Sequence, residues 1–144
     1  MDFNRNINFE LEKTVHLIRS KTLEVFRENN FPISKEQWLI LERIAAKEGS
    51  NQKDIAKDTF KDPAALTRML DLLVDKGFAQ RKTSKSDRRT FDIYLTVEGG
   101  RLVNRITPTI NVFHSAIEQS LTKEDEKYLL RLLSKLQDKI DTLN

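Results

Sequence analysis

The sequence predicts a mainly α-helical protein with one small β-hairpin, and three observations lead there. Apolar residues recur at spacings of three and four through most of the chain. Strict apolar–polar alternation occurs in one place, over Thr90 to Leu95. Between these stretches, Gly, Pro and short polar caps mark where elements start and stop.

The first element is an amphipathic helix from about Asn4 to Glu28, carrying Ile7, Leu11, Val15, Ile18, Thr22 and Phe26 on one stripe. Asn29-Asn30-Phe31-Pro32 ends it, because the residue before proline resists helical geometry. Ser34-Lys35-Glu36-Gln37 is a capping box that opens a second helix through Trp38, Leu41 and Ile44 to Gly49. Asn51 caps a short helix to about Asp58. Asp62-Pro63 pairs an N-cap aspartate with proline at the first helical position, starting a fourth helix that Gly77 stops in a left-handed conformation.

Two strands follow, Phe78 to Thr83 and Phe91 to Leu95, the second with Phe91, Ile93 and Leu95 predicted on a buried face. Thr96 caps a long helix from about Val97 to Gln119, which Pro108 should kink. Thr122 opens the last helix, where Leu129, Leu133, Leu136, Ile140 and Leu143 follow the 4-3-4-3 spacing of a two-helix seam.

A short helix, a turn, a second helix and a two-stranded wing make the middle block a winged helix-turn-helix. The expected organisation is an N-terminal dimerisation helix at 1–30, a winged helix-turn-helix lobe at 31–100 and C-terminal dimerisation helices at 101–144. The terminal stripes are too long for one small lobe to bury. Ile7, Leu11, Val15, Leu129, Leu133, Leu136 and Ile140 are therefore expected to pair across a two-fold axis.

A chain of 144 residues is the size of one domain, and 38% hydrophobic content suffices for a core. The absence of cysteine excludes a disulfide scaffold, a thiolate metal site and a thiol redox sensor, and fits a cytoplasmic protein. The longest apolar run, Trp38 to Leu41, falls far short of the ~18 residues of a spanning helix, so a soluble protein is expected. No phosphate loop or nucleophile paired with a base is present, so no enzyme is predicted. His16 and His114 stand apart, and neither a metal nor another cofactor is expected.

Charge is unevenly distributed. Lys61, Arg68, Lys76, Arg81, Lys82, Lys85, Arg88 and Arg89 face only Asp62, Asp71, Asp75 and Asp87 within Lys61 to Arg89, whereas the whole chain carries +3. The remainder is slightly negative, so the excess is confined to the fourth helix and the hairpin, as in a nucleic-acid footprint. Stepping 100° per residue around the fourth helix puts Leu66, Leu70 and Leu73 on the buried stripe, with Met69 and Val74 on its shoulders. Ala64, Arg68, Asp71 and Asp75 fall opposite, with Thr67 on the edge. Small residues and one arginine at the front, and acids at the rear, suit a helix entering the major groove by its N-terminus.

"NQKDIAKDTFKDPAALTRMLDLLVDKGFAQRKTSKSDRRTFDIYLTVEGG", Asn51 to Gly100, resembles the DNA-binding core of the MarR family of bacterial transcriptional regulators. Three pieces at matching spacings carry the resemblance: "LTRMLDLLVDKGFAQR", "DRR" and "YLTVEGG"; "EQWLIL", Glu36 to Leu41, is similar to the start of the family's second helix. The resemblance implies a homodimer built on the first, fifth and sixth helices, with a recognition helix in each major groove. It also implies a wing arginine in the minor groove and, in many members, release from double-stranded DNA by a small aromatic or phenolic ligand. By position, Arg89 matches the minor-groove arginine, Asp87 the acid that steadies it, and Arg88 adds a second base.

The expected DNA face is then Lys61, Ala64, Thr67, Arg68, Lys82, Lys85, Asp87, Arg88 and Arg89. Lys82, Lys85 and Arg88 are in reach of flanking phosphates, Arg68 suits guanine, and Ala64 and Thr67 suit a thymine methyl. His16, Trp38 and Phe113 are candidates for an effector pocket, although Trp38 can equally serve as packing. The function expected is a sequence-specific regulator, a repressor bound as a homodimer to a near-palindromic operator and released by a small effector. A constitutive architectural DNA binder and a winged-helix protein-interaction module are the alternatives. The second of these predicts an acidic or shortened wing, unlike this one.

Overall fold

The computed structural model describes residues 6–143. Helices α1 (Ile7–Glu28), α2 (Lys35–Ala46), α3 (Gln52–Asp58) and α4 (Pro63–Asp75) precede the wing, and α5 (Val97–Glu118) and α6 (Lys123–Asp141) follow it. Strands β1 (Ser50–Asn51), β2 (Ala79–Thr83) and β3 (Phe91–Leu95) form one antiparallel sheet in the order β1-β3-β2. Mainly helical with a small sheet is thus the observed class. Asn4, where the sequence pattern begins the first helix, lies outside the described residues.

The helix starts follow the local chemistry read from the sequence. Ser34, Asn51, Asp62 and Thr122 each accept the backbone N–H three residues on, and Ser34 and Thr122 complete reciprocal capping boxes with Gln37 and Asp125. Gly77, at φ +80°, stops α4 as expected: its N–H reaches the Val74 carbonyl and the next N–H, of Phe78, reaches Leu73. Because Phe78 is used in that stop, β2 begins one residue later, at Ala79. The same geometry ends α1 within the expected Asn29 to Pro32 stretch, with Asn30 as the left-handed residue at φ +51°.

Three expectations are corrected. The second helix ends at Ala46, three residues before Gly49; that glycine, at φ +80°, serves the turn into β1 and gives its N–H to the Ile93 carbonyl. The wing is also not a bare hairpin. Ser50 and Asn51 add a third strand opposite Ile93 and Asp92, and two polar residues carry no alternation by which to read a strand. Phe91, at the tip end of β3, is 47% exposed and Leu95 is half-buried, so only Ile93 of the predicted buried face is fully closed.

The chain divides into two compact units, Met1–Pro108 and Thr109–Asn144, with the division falling at Pro108 inside α5. In the first, Ile40, Leu41, Ile44, Ile55, Leu66, Leu70, Leu73, Ile93 and Ile106 are completely buried, so α2 to α5 and β3 share one core. Phe26 of α1 sets its ring edge-on to Phe31 and Trp38, and the Trp38 indole N–H donates to the Thr107 hydroxyl at 3.0 Å. A Cβ at Gly99 would lie 1.9 Å from the Phe78 carbonyl oxygen, so the first turn of α5 sits directly on the turn that follows α4. Thr96 fixes this approach: its hydroxyl donates to the Gly77 carbonyl and accepts the Gly99 N–H, and its own N–H donates to Phe78.

The outer helices differ. Ile7, Leu11, Val15 and Leu23 of α1 are exposed, and so are Leu129, Leu136 and Ile140 of α6, where no residue is fully buried and Leu133 is half-buried. No helix among the described residues is long and apolar enough to cross a membrane.

Candidate nucleic-acid interface

The wing tip is a turn built by one acid. Asp87 begins a β-turn in which the Thr90 N–H donates back to the Asp87 carbonyl, a position that favours aspartate because its side chain can accept the N–H two residues on. Asp87 Oδ1 accepts both the Arg89 backbone N–H at 3.0 Å and Arg89 Nε at 3.2 Å. The backbone N–H first, and then the guanidinium, hold the Asp87 carboxyl below its ordinary range. A group depressed in this way contributes its full effect above the ordinary aspartate range and loses it as pH falls through the lowered value. At neutral pH the Asp87 carboxylate is therefore ionised and able to accept both bonds from Arg89.

This pairing leaves the charge of Arg89 outward. The Arg89 side chain is 91% exposed although its Nε is held, so the guanidinium is aimed and still free to meet an anion. Lys82, Lys85 and Arg88 are also exposed, and Lys82 rests its ammonium 4.6 Å from the centre of the Tyr94 ring. Below the tip, Asn51, Gln52, Lys53, Arg89, Thr90 and Phe91 line an open groove of about 340 Å³.

Helix α4 presents the face read from its sequence. Leu66, Leu70 and Leu73 are buried, while Ala64, Thr67, Arg68, Asp71 and Asp75 are exposed. Asp62 and Pro63 start the helix immediately ahead of Ala64, with the Asp62 side chain taking the Ala65 N–H, so the capped end of the helix is also the end that carries its small residues. Lys61 stands differently from the other cations. Its Nζ lies 2.6 Å from Glu36 Oε2 and its side chain is 13% exposed, so it ties the turn before α4 to α2. That hydrogen bond lowers the Glu36 pKa, so the carboxylate that faces Lys61 is ionised at neutral pH.

Two residues outside the sequence-predicted set belong to this surface. Arg81 of β2 donates through Nη2 to Asp71 Oδ1 at 2.7 Å and through Nε to Gln52 Oε1 at 3.1 Å. Gln52 in turn donates to the Thr67 hydroxyl at 3.3 Å. A signal for Arg81 existed: it alternates with buried Ala79 and so stands on the inner face of its strand, where a cation needs a partner.

His16 is exposed on α1, Trp38 is 3% exposed within the first unit, and Phe113 is half-buried in the second, stacked at a tilt against His114. Among the described residues, no group of three His, Cys, Asp or Glu is placed to hold a metal.

The chain is similar to known transcriptional regulators. The sequence model of the MarR family matches residues 33–91, from the start of α2 to the first residue of β3. The HTH-type transcriptional regulator YhbI of Bacillus subtilis (strain 168) is 27% identical over 128 residues, which are 89% of this chain and 82% of YhbI. A mutant MarR from E. coli, solved in complex with operator DNA, is 27% identical with a TM-score of 0.75, covering 94% of this chain and 98% of MarR. NadR, solved with 4-hydroxyphenylacetate, is 26% identical with a TM-score of 0.76 and 92% of each chain covered.

Proposed function

We propose that this chain is a MarR-family transcriptional regulator, a homodimeric repressor of a near-palindromic operator that is released by a small effector. The observation that carries the reading is the pair of cationic readers on one lobe. Arg89 is aimed outward by Asp87 at the wing tip, and Arg68 stands on the exposed front of α4 behind Ala64 and Thr67. A narrow minor groove concentrates negative potential and favours a single inserted arginine. In the major groove a guanidinium fork matches guanine O6 and N7. Lys82, Lys85 and Arg88 then hold phosphates, which position the lobe without reading sequence.

The exposed stripes of α1 and α6 supply the dimer contact, with residues 31–100 as the DNA-binding lobe between the dimerising segments 1–30 and 101–144. Release by a small aromatic or phenolic effector is supported by NadR and its 4-hydroxyphenylacetate.

Selection of bound sites from random duplex DNA tests the reading. Two recognition helices related by a two-fold axis should enrich half-sites centred ~10 bp apart. DNA retained without an enriched motif would point instead to an architectural binder, and no retention at all would remove DNA as the partner. On the selected site, Arg89→Ala should weaken binding by roughly 1–3 kcal/mol with the fold unchanged. A titration at fixed salt in which this variant matches wild type would remove the minor-groove role.

A further inference from the structure

Asp71 poses a problem that a DNA-binding reading does not solve. It is an acid on the exposed side of the recognition helix, where a polyanion would approach, and its side chain is 56% exposed. Left alone, it would repel phosphate.

Its contacts offer an answer. Arg81 reaches it from the wing strand, and the planar fork of the same guanidinium also reaches Gln52 on the first turn of α3. Because Gln52 Oε1 accepts from Arg81, its amide N–H group is turned toward Thr67. The Thr67 hydroxyl gives its single proton to the Pro63 carbonyl at 2.9 Å and offers its oxygen to Gln52. One unbroken set of contacts therefore joins β2, α3 and two successive turns of the exposed face of α4, at Thr67 and Asp71.

The ladder carries this link outward. Arg81 pairs with Ile93, Lys82 with Asp92 and Thr83 with Phe91, so the base of the wing that bears Arg89 is fixed by the same guanidinium that holds Asp71. We infer that Asp71, Arg81 and Gln52 are positioning residues that set the wing at a fixed distance and angle from the recognition helix. They let the minor-groove and major-groove readers engage one operator together. Specificity is where such a strut acts, because non-specific phosphate contact tolerates a swinging wing and simultaneous groove reading does not. The Thr67 hydroxyl, already committed on both sides, holds no proton for a base.

This inference rests on the DNA-reading function proposed above. Its test sets two opposed expectations against each other. Removing one negative charge near a polyanion should by itself tighten all binding. Losing the strut should weaken only the selected site. Wild type, Asp71→Asn and Gln52→Leu are titrated at one salt concentration against the duplex that wild type selects and a scrambled duplex of equal length and composition. Asp71→Asn should hold the scrambled duplex as tightly as wild type or more tightly, and bind the selected site roughly tenfold more weakly. Gln52→Leu, which breaks the Thr67 arm with no change of charge, should lower the same preference. Thermal melting close to wild type is expected, since a solvent-exposed ion pair contributes little to stability. If Asp71→Asn melts early, Gln52→Leu alone decides, by the same ratio. Variants that keep the wild-type preference would overturn the strut alone. A wild type that enriches no site would overturn the function it rests on as well.

Discussion

A protein carrying Leu133→Asp and Leu136→Asp is expected to lose its fold and not to persist as a soluble monomer. Helix α6 has no fully buried residue in the single chain, and Leu129, Leu136 and Ile140 are 45%, 37% and 63% exposed. Burying such a side chain from full exposure is worth about 1.5–3 kcal/mol, so covering the part still exposed gains roughly half of that for each residue of the stripe. A second copy is the occupant proposed above, and its symmetry would bring four new carboxylates into one apolar seam. A buried, unpaired carboxylate costs several kcal/mol even after relaxation, and obligate dimers often have no folded protomer. Wild type should sediment at about twice 16.8 kDa at micromolar concentration, and the double variant should lose helical circular dichroism. Wild type running as a stable 16.8 kDa species would remove the homodimer.

Gly99→Ala should destabilise the protein by about 3 kcal/mol or more, the upper range for forcing extra atoms into a closed site. The new Cβ would meet the Phe78 carbonyl oxygen at 1.9 Å and its carbon at 2.9 Å, both backbone atoms held by neighbouring hydrogen bonds. The same carbonyl accepts the Thr96 N–H, so it cannot retreat without opening the start of α5. Gly100 supplies the control: a Cβ there meets nothing within 4 Å, so Gly100→Ala should melt at or above the wild-type temperature. Equal melting of the two variants would contradict the packing of α5 on the turn after α4.

What could be read from the sequence follows the range of the interaction. Ser34, Asn51, Asp62 and Thr122 were legible as caps because each acts on an amide three residues away. The buried stripe of α4 was legible for the same reason, since helical pitch alone fixes which side Leu66, Leu70 and Leu73 share. Strand β1 was not, because Ser50 and Asn51 become a strand only through β3, some forty residues on in the chain. Formal charge also hid a difference between cations. Lys61 and Arg81 count as positive like Arg89, yet Glu36 and Asp71 engage them and leave their side chains only 13% and 21% exposed, whereas Arg89 keeps its charge outward. Asp87 was legible as an internal partner because Arg89 is only two residues away.

The burial of Trp38 turns the protein into its own optical reporter. It is the only tryptophan in the chain, and its indole sits between the Phe26 ring and the Thr107 hydroxyl, 3% exposed. Fluorescence excited selectively in tryptophan therefore arises wholly from the place where α1, α2 and α5 meet, and none arises from the wing or α6. A water-excluded indole emits toward the blue, and opening that place would shift the band to the red. A change in emission on adding DNA would then mark a rearrangement transmitted from the wing into the core, with no added label on the chain.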